Sequence, residues 1–209
     1  MNDRIYPAQT TALVLIDVLN DFLADDGKLH ASIAPMLDKT GFVAHVAQLL
    51  EGARAAGVKI IFAPHGTDEH SFDDIKHVHP RMQWALANEV LRKGTYGADF
   101  YPPLRPHEGE IVVSHHRMFD SFIGTDLEAQ LRANGIEKVV LAGLTSQTCI
   151  EGTGRHALEA GFHVTFITDA VADFTEAAHE AALSISYPTF GHDAMTVAEF
   201  LEAVDSVAA

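Results

Sequence analysis

The chain has 209 residues, of which 47% are hydrophobic and 21% are charged. This composition supports a sizeable buried core and excludes an intrinsically disordered chain. The formal net charge is −15, from 14 basic and 29 acidic residues, so the surface repels the phosphate backbone of nucleic acids. We therefore expect a single domain over residues 1–209 with no nucleic-acid partner.

The cysteine content and the first residues of the chain predict its location. Cys149 is the single cysteine, so an internal disulfide is impossible and a reducing compartment is expected. Residues 1–22 have no basic segment ahead of a long apolar run, and their short apolar segment contains Asp17. These features predict neither a signal peptide nor a membrane span. We expect a cytoplasmic protein without membrane contact.

Strand-like and helix-like segments alternate along the chain. Residues 11–17 are a nearly continuous apolar run, which is typical of a strand buried on both faces. Residues 42–56 carry apolar side chains at helical spacing, and Gly57 stands where that helix should end. The predicted strands are 11–17, 58–63, 110–114, 137–143, 162–168 and a short one near 193–196, and the predicted helices are 42–56, 81–91, 125–134, 148–160, 175–184 and 197–207. This alternation predicts an α/β fold of three layers, α/β/α, with a central, mostly parallel six-stranded sheet of Rossmann-like type.

Polar residues directly after strands are candidates for a site, because ligands of parallel sheets bind at the carboxyl ends of the strands. Asp17 ends the first strand, and His115 and His116 follow the third. Cys149 follows the fourth strand and opens a helix. We expect these side chains to converge at one edge of the sheet. Adjacent residues of an extended segment point in opposite directions, so at most one of the two histidines faces the site.

The chemistry of these residue types suits nucleophilic catalysis. At a helix N-terminus, free N–H groups and the helix dipole favour a thiolate at Cys149 and can hold an oxyanion. Asp17 is costly to bury as an anion and can serve as a general base. A histidine beside the cysteine can stabilise the thiolate. The alternatives are a cysteine that only packs in the core and an aspartate that only caps a turn.

Metal-ligand residue types gather in one loop, at His65, Asp68, His70, His77 and His79. Their spacing lacks the regularity of a helical metal motif, so we interpret the stretch as a solvated polar loop and predict no catalytic metal. The phosphate-loop motifs GxGxxG and GxxxxGK[ST] are absent, as is the GxSxG turn of serine hydrolases. The sequence therefore predicts no cofactor.

Two long segments together resemble the isochorismatase-like cysteine hydrolase superfamily, which includes nicotinamidases, N-carbamoyl amidases and isochorismatases. The segments read ALVLIDVLNDF at 12–22 and FDSFIGTDLEAQLRANGIEKVVLAGLTSQTCIEGTGRHALEAGFHVTFITDA at 119–170. The resemblance implies that Asp17 is the general base and that Cys149 is the nucleophile. The resemblance thus implies that the two residues at the strand ends act in the same reaction.

The resemblance also implies the surroundings of the nucleophile. The peptide between Leu144 and Thr145 falls where the family has a cis bond. The backbone N–H groups of Thr145 and Cys149 are then expected to form an oxyanion hole. Phe22 and Leu144 are expected to line the substrate pocket.

The chain departs from the family pattern at the third catalytic position. The family usually has a lysine six residues before the phenylalanine that is Phe122 here, and that position holds His116. A protonated His116 can still hold the thiolate and Asp17 together, but it loses its charge near neutral pH unless the two anions raise its pKa.

The function implied is cysteine-dependent hydrolysis of a C–N bond in a small amide, carbamoyl or urea-type substrate, through a thioester. The resemblance also implies a homodimer or homotetramer. Two alternatives remain open. One is vinyl-ether hydrolysis of the isochorismatase type, in which Asp17 acts as an acid without Cys149. The other is a non-catalytic binding member of the superfamily.

Overall fold

The computed structural model describes the backbone of residues 4–208 and the side chains of residues 4–204. Within this range, six strands form one sheet in the order β3-β2-β1-β4-β5-β6, and neighbouring strands are parallel throughout. The strands are β1 Thr11–Ile16, β2 Lys59–Ala63, β3 Ile111–Val112, β4 Lys138–Leu144, β5 His163–Ala172 and β6 Asp193–Met195. The predicted α/β class and the parallel six-stranded sheet are confirmed.

Helices cover both faces of the sheet. They are α1 Asn20–Leu23, α2 His30–Thr40, α3 Phe42–Ala55, α4 Pro80–Ala87, α5 Leu127–Ala133, α6 Glu151–Glu159, α7 Glu176–Ala181, α8 Tyr187–Phe190 and α9 Val197–Ala208. Side chains of α2, α3 and α9 pack in the core on one face, and those of α5, α6 and α8 pack in the core on the other. Among the described helices, none combines the length and apolar character that a membrane span requires.

The apolar run of β1 is explained by its place between the two cores. Leu13 and Leu15 belong to one core, whereas Ala12, Val14 and Ile16 belong to the other. All of these side chains are at most 1% exposed. A central parallel strand has no solvent face, so polar alternation disappears from its sequence.

Helix α2 is absent from the predicted helices, and it contains Pro35 in its interior. Proline removes a helical hydrogen bond and clashes with the preceding turn, at a cost of about 3 kcal/mol. In the structure, Ile33, Met36 and Leu37 of the same helix are buried against the sheet. Tertiary packing thus outweighs a local signal that argues against a helix.

Several predicted elements are shorter in the structure, among them the third strand and the helix predicted at 81–91. The strand predicted at 110–114 is β3, which pairs with β2 only at Ile111 and Val112. The helix predicted at 81–91 ends at Ala87, and positive φ angles of 52° at Glu89 and 50° at Leu91 show why the chain cannot continue as a helix.

The chain adds strands on one side of β1 up to β3 and then on the other side from β4 onward, so the strand order reverses between β1 and β4. In sheets of this kind a crevice forms beyond the carboxyl ends of the two strands at the reversal. The pairing of β4 with β5 shifts between Leu141 and Gly143, because β5 has extra residues between the partners Phe166 and Val171. Gly143 has a φ of +118°. A Cβ atom at Gly143 would lie 2.0 Å from the backbone oxygen of Ile16. Only glycine therefore lets β4 approach the end of β1, directly before Asp17.

We expect Gly143→Ala to lower the free energy of unfolding by about 3–5 kcal/mol, because strain at positive φ adds to a backbone clash. Gly57→Ala is the matched control. Gly57 also has a positive φ, +72°, but a Cβ atom there meets nothing within 4 Å. The control should lose only about 1–2 kcal/mol. Urea unfolding of both variants measures the difference, and equal losses would contradict the close approach at Gly143.

Candidate active site

Three side chains that the sequence singled out meet at the carboxyl edge of the sheet. One ligand-type atom each of Asp17, His116 and Cys149 lies within 4.8 Å of the other two. Asp17 and His116 are each 1% exposed, and Cys149 is 7% exposed. The neighbouring His115 is exposed, so His116 is the histidine of the pair that faces the site.

Strand pairing beyond the ends of β2 and β3 brings His116 to Asp17. The N–H of His116 donates to the oxygen of Pro64 at 3.1 Å, and the N–H of Gly66 donates to the oxygen of His116 at 3.0 Å. These bonds form a parallel bridge between His65 and His116. Asp17 follows β1 with a φ of +58°, a left-handed conformation that aspartate tolerates better than most residues.

The two carboxylate oxygens of Asp17 have different surroundings. Oδ1 accepts a hydrogen bond from the His65 backbone N–H at 2.7 Å and a second from Nε2 of His116 at 3.0 Å. Oδ2 is buried and has no hydrogen-bond partner among the described residues. One oxygen therefore anchors the carboxylate, and the other remains available as an acceptor beside Cys149.

Both ring nitrogens of His116 face acceptors, because Nδ1 lies 2.8 Å from the oxygen of Met118 and Nε2 faces Asp17. Only an imidazolium donates from both nitrogens. Burial lowers the pKa of His116, but the charge and hydrogen bond of Asp17 outweigh it and raise the pKa above its ordinary value. Burial likewise raises the pKa of Asp17, and the charge and hydrogen bond of His116 reverse this, so that the net direction is downward. The resting pair is a buried carboxylate beside an imidazolium.

Cys149 lies in a π-helical turn, Ser146–Ile150, that precedes α6. Burial raises its pKa well above the ordinary value, and the nearby charge of Asp17 raises it further. The expected thiolate stabilisation by a helix N-terminus therefore does not prevail, and the resting group is a thiol. Forming the thiolate requires a base, and Asp17 is the carboxylate next to it.

The turn after β4 places backbone and hydroxyl donors around the sulfur. The peptide between Leu144 and Thr145 is cis, as the resemblance implied. A hydrogen bond from the Thr145 backbone lowers the pKa of Cys149, which indicates that this donor lies beside Sγ. The Thr148 hydroxyl donates to Sγ at 3.8 Å and lies 2.5 Å from the Thr145 hydroxyl.

A cavity of about 350 Å³ opens onto the sulfur and the carboxylate. Phe22 lines it as predicted, but Leu144 does not. Leu144 is fully buried in the core and pairs with Ala172 in the sheet. The other apolar lining residues are Leu29, Met82, Trp84, Ala85, Val90, Leu91, Phe119 and Phe174.

Among the residues of the site that the sequence did not predict are His65, Arg81 and Phe174. His65 holds Asp17 through its backbone, Arg81 lines the cavity from α4, and Phe174 lines it just after β5. Phe174 was missed because the observed strand β5 continues to Ala172, four residues beyond the predicted strand 162–168. Arg81 carried no comparable signal. His65 was seen only as one histidine of a polar loop.

That polar loop does not gather its side chains around one point. Asp68 pairs with Lys93 at 3.0 Å, and His70 pairs with Asp73 at 3.1 Å on the surface. Nδ1 of His79 accepts the Arg81 N–H at 3.2 Å and caps α4. Within the described side chains, these residues form no group of converging metal ligands.

Comparison with known proteins identifies the family of the chain. Residues 11–199 match the family model described as the isochorismatase domain. The chain belongs to the isochorismatase family. A ureidoacrylate amidohydrolase, RutB, of Stutzerimonas stutzeri is 30% identical to this isochorismatase-family chain over 194 residues, which cover 84% of the chain and 75% of that relative.

Solved structures of other proteins share the fold of the chain over most of its length. A cysteine hydrolase from Pseudomonas syringae pv. phaseolicola superposes with a TM-score of 0.82 and 22% identity, covering 99% of each chain. N-carbamoylsarcosine amidase from Thermoplasma acidophilum gives a TM-score of 0.68 and 25% identity, covering 90% of this chain and 95% of that one. The isochorismatase-family chain is therefore a hydrolase with the α/β fold of these proteins.

We expect His116→Gln to lower the free energy of unfolding at neutral pH by about 3 kcal/mol, because it leaves the Asp17 carboxylate buried without its cation. His115→Gln is the matched control and should change the stability by less than about 0.5 kcal/mol, since His115 is exposed. Denaturant unfolding measures both.

The pH dependence of that loss distinguishes a charge effect from a packing effect. Without the imidazolium, burial raises the pKa of Asp17, so the variant gains stability relative to the wild type as the pH falls and the carboxyl protonates. A loss that stays constant at every pH would contradict the ion pair.

Proposed function

We propose that the chain hydrolyses the C–N bond of a small amide, carbamoyl or ureido compound through a thioester on Cys149. The observation that carries this proposal is the unpaired, buried Oδ2 of Asp17, which belongs to the carboxylate beside the thiol. A buried acceptor without a donor is costly, so its presence in a cavity suggests a proton-transfer role. The amidohydrolase and amidase names of the relatives support the C–N chemistry.

Acylation begins when Asp17 accepts the thiol proton of Cys149. The transfer converts one buried anion into another, and the imidazolium of His116 lies within reach of both. The cation therefore offsets the cost of charge on sulfur while the carboxyl is neutral. The thiolate then adds to the carbonyl carbon of the substrate.

The tetrahedral intermediate carries its negative charge on oxygen. In this proposal the backbone N–H groups of Thr145 and Cys149 donate to that oxygen. The hydrogen bond from the Thr145 backbone toward the cysteine supports this role for its N–H. Protonated Asp17 then gives its proton to the leaving nitrogen, and the C–N bond breaks. A water molecule, deprotonated by Asp17, hydrolyses the thioester and restores the thiol.

The ionisation of Asp17 favours this reaction over vinyl-ether hydrolysis. The vinyl-ether route needs Asp17 as an acid that protonates carbon. Burial raises the pKa of Asp17, but His116 outweighs it and lowers the pKa below its ordinary value, which favours a carboxylate in the resting site. A carboxylate is suited to accept a proton from Cys149.

The cavity suggests an anionic substrate of modest size. Its walls are apolar, and Arg81 supplies a cation among the lining residues. The guanidinium of Arg81 makes no hydrogen bond or ion pair with any described side chain, whereas Arg54, Arg92 and Arg117 are all paired. We infer that Arg81 binds a carboxylate of the substrate.

Three further expectations stay predictions. They are a single domain over residues 1–209, a cytoplasmic location, and assembly into a homodimer or homotetramer. Light scattering on the eluting peak of a size-exclusion column measures the assembly directly. No cofactor and no catalytic metal enter the proposed reaction.

We expect Cys149→Ala to reduce turnover of the best substrate by about 10³-fold or more, because the covalent route loses its nucleophile. An ammonia-release screen of amides, carbamoyl compounds and ureido acids first supplies that substrate. Rapid acid quench followed by mass spectrometry should detect an acyl adduct in the wild type and none in Cys149→Ala.

Asp17→Asn separates the two reactions when it is measured beside Cys149→Ala. Both variants should be inactive if Asp17 serves the cysteine. Retained turnover in Cys149→Ala together with an inactive Asp17→Asn would refute the thioester route and favour the vinyl-ether route.

We expect Arg81→Gln to lower kcat/KM about 10-fold for substrates that bear a carboxylate, equivalent to ~1.4 kcal/mol, and to leave neutral amides within about twofold. Lys59→Gln is the control, because it removes the same charge from the exposed start of β2 at the opposite edge of the sheet. An equal effect of Arg81→Gln on neutral and anionic substrates would contradict carboxylate binding.

A further inference from the structure

The catalytic side chains also form a set of metal ligands. Among the described residues, Asp17, His116 and Cys149 are the one group in which three such ligand atoms converge. We propose that these three side chains bind a thiophilic divalent cation, such as Zn²⁺ or Co²⁺, and that the bound cation reversibly inhibits the enzyme. The inhibition rests on the proposed function, since it assumes that Cys149 is the nucleophile.

The ligand types and distances suit a tetrahedral ion. Thiolate, imidazole and carboxylate are common zinc ligands, with bonds of about 2.0–2.3 Å, so ligand atoms around one ion lie about 3.3–3.6 Å apart. Here the three atoms lie within 4.8 Å of one another, and Nε2 of His116 is 3.0 Å from Oδ1 of Asp17. Side-chain adjustments of less than about 1–2 Å bring all three onto one ion.

Neighbouring groups orient two of the ligands for this role. The oxygen of Met118 lies 2.8 Å from Nδ1 of His116, which leaves Nε2 as the nitrogen that points into the site. The His65 N–H holds Oδ1 of Asp17 at 2.7 Å, and Oδ2 is buried without a partner in the part of the chain that the structure describes. Backbone partners of this kind fix the ligands of protein metal sites. The unpaired oxygen gives the site a further acceptor that an ion can engage.

Charge balance also favours the exchange of protons for a metal. In the resting site, the imidazolium and the carboxylate cancel, and the thiol is neutral. Binding of a divalent cation releases two protons to solvent, one from Sγ of Cys149 and one from Nε2 of His116. The ion then faces a thiolate, a carboxylate and a neutral imidazole, so the net charge of the buried site is again zero. The exchange therefore adds no uncompensated charge to the interior.

The bound ion blocks both steps that start the reaction. The sulfur lone pair is engaged with the metal, and the carboxylate no longer accepts the thiol proton. Three protein ligands leave the fourth position for water or a buffer ligand from the cavity. The site therefore differs from a catalytic metal site in its effect, since occupancy removes the nucleophile.

Titration with Co²⁺ under anaerobic conditions tests the proposal without any substrate. We expect one equivalent to bind, with the visible bands of tetrahedral cobalt and a near-ultraviolet band from sulfur to cobalt. His116→Lys keeps a positive charge but offers no ligand lone pair while it is charged, and should weaken binding about 100-fold or more. His115→Lys is the matched control on the exposed neighbour and should bind like the wild type.

Two further variants test the other two ligands, so that the proposal remains testable if His116→Lys does not fold. Cys149→Ser should lose the sulfur band, and Asp17→Asn should weaken binding, with circular dichroism reporting on the fold of each. Wild-type protein without a sulfur band overturns the proposal. Undiminished binding in a folded His116→Lys, or in both Cys149→Ser and Asp17→Asn, also overturns it.

Alkylation of the single cysteine tests the blocking effect. Zn²⁺ should slow the reaction of Cys149 with iodoacetamide at least about 10-fold, and a chelator should restore the rate, as followed by intact mass. Unchanged alkylation in saturating Zn²⁺ overturns the inhibition. Failure of the proposed function is recognised separately: cobalt binding with protected Cys149 but no turnover of any amide rejects the amidase proposal and leaves the metal site standing.

Discussion

The buried contact between Asp17 and His116 is the interaction on which the rest of the site depends. Each group is 1% exposed, so neither charge is stable there without the other. The pair also joins three strands, because Asp17 follows β1, His116 follows β3, and the backbone of His65 after β2 donates to the same carboxylate oxygen. With Oδ1 occupied in this way, Oδ2 has no partner among the described residues and remains free as an acceptor on the carboxylate beside Cys149.

A histidine in this position has consequences that a lysine would not have. Its ring is held at both nitrogens, by Met118 and by Asp17, so its charge is placed more rigidly than that of a flexible ammonium group. The same ring has a nitrogen that can coordinate a metal once its proton is lost. The departure from the family pattern therefore keeps a cation beside Asp17 and places a further metal-ligand type next to Asp17 and Cys149.

The sheet positions the candidate catalytic side chains, whereas the segments that cover the sheet supply most of the cavity wall. The reactive groups follow β1, β3 and β4, whose ends are fixed by backbone pairing and by the glycine contact at Gly143. The cavity walls come mainly from α4 and the residues after it, which lie outside the sheet. Changes in this covering segment can alter which molecule fits while the strand ends stay in place.

Sequence periodicity was sufficient to predict the sheet, since the strands of a parallel sheet are buried on both faces and read as apolar runs. The parallel sheet in turn predicted that Asp17 and Cys149 lie at one edge, because the carboxyl ends of parallel strands meet in space even when the strands are far apart in sequence. Local patterns did not predict helix α2, which contains Pro35 in its interior. The expectation that Leu144 lines the pocket came from the family resemblance, and Leu144 packs into the core although its neighbour Thr145 lies at the site.

The sequence by itself determined the α/β class, the residue types of the site and the family to which their pattern belongs. Only the tertiary structure decided that His116 and not His115 is buried, and that Arg81 lines the cavity. It also decided that Cys149 rests as a thiol, since burial and a neighbouring carboxylate outweigh its position before a helix. Ionisation and side-chain direction depend on which groups from distant segments come within a few ångströms of each other, and no local pattern carries that information.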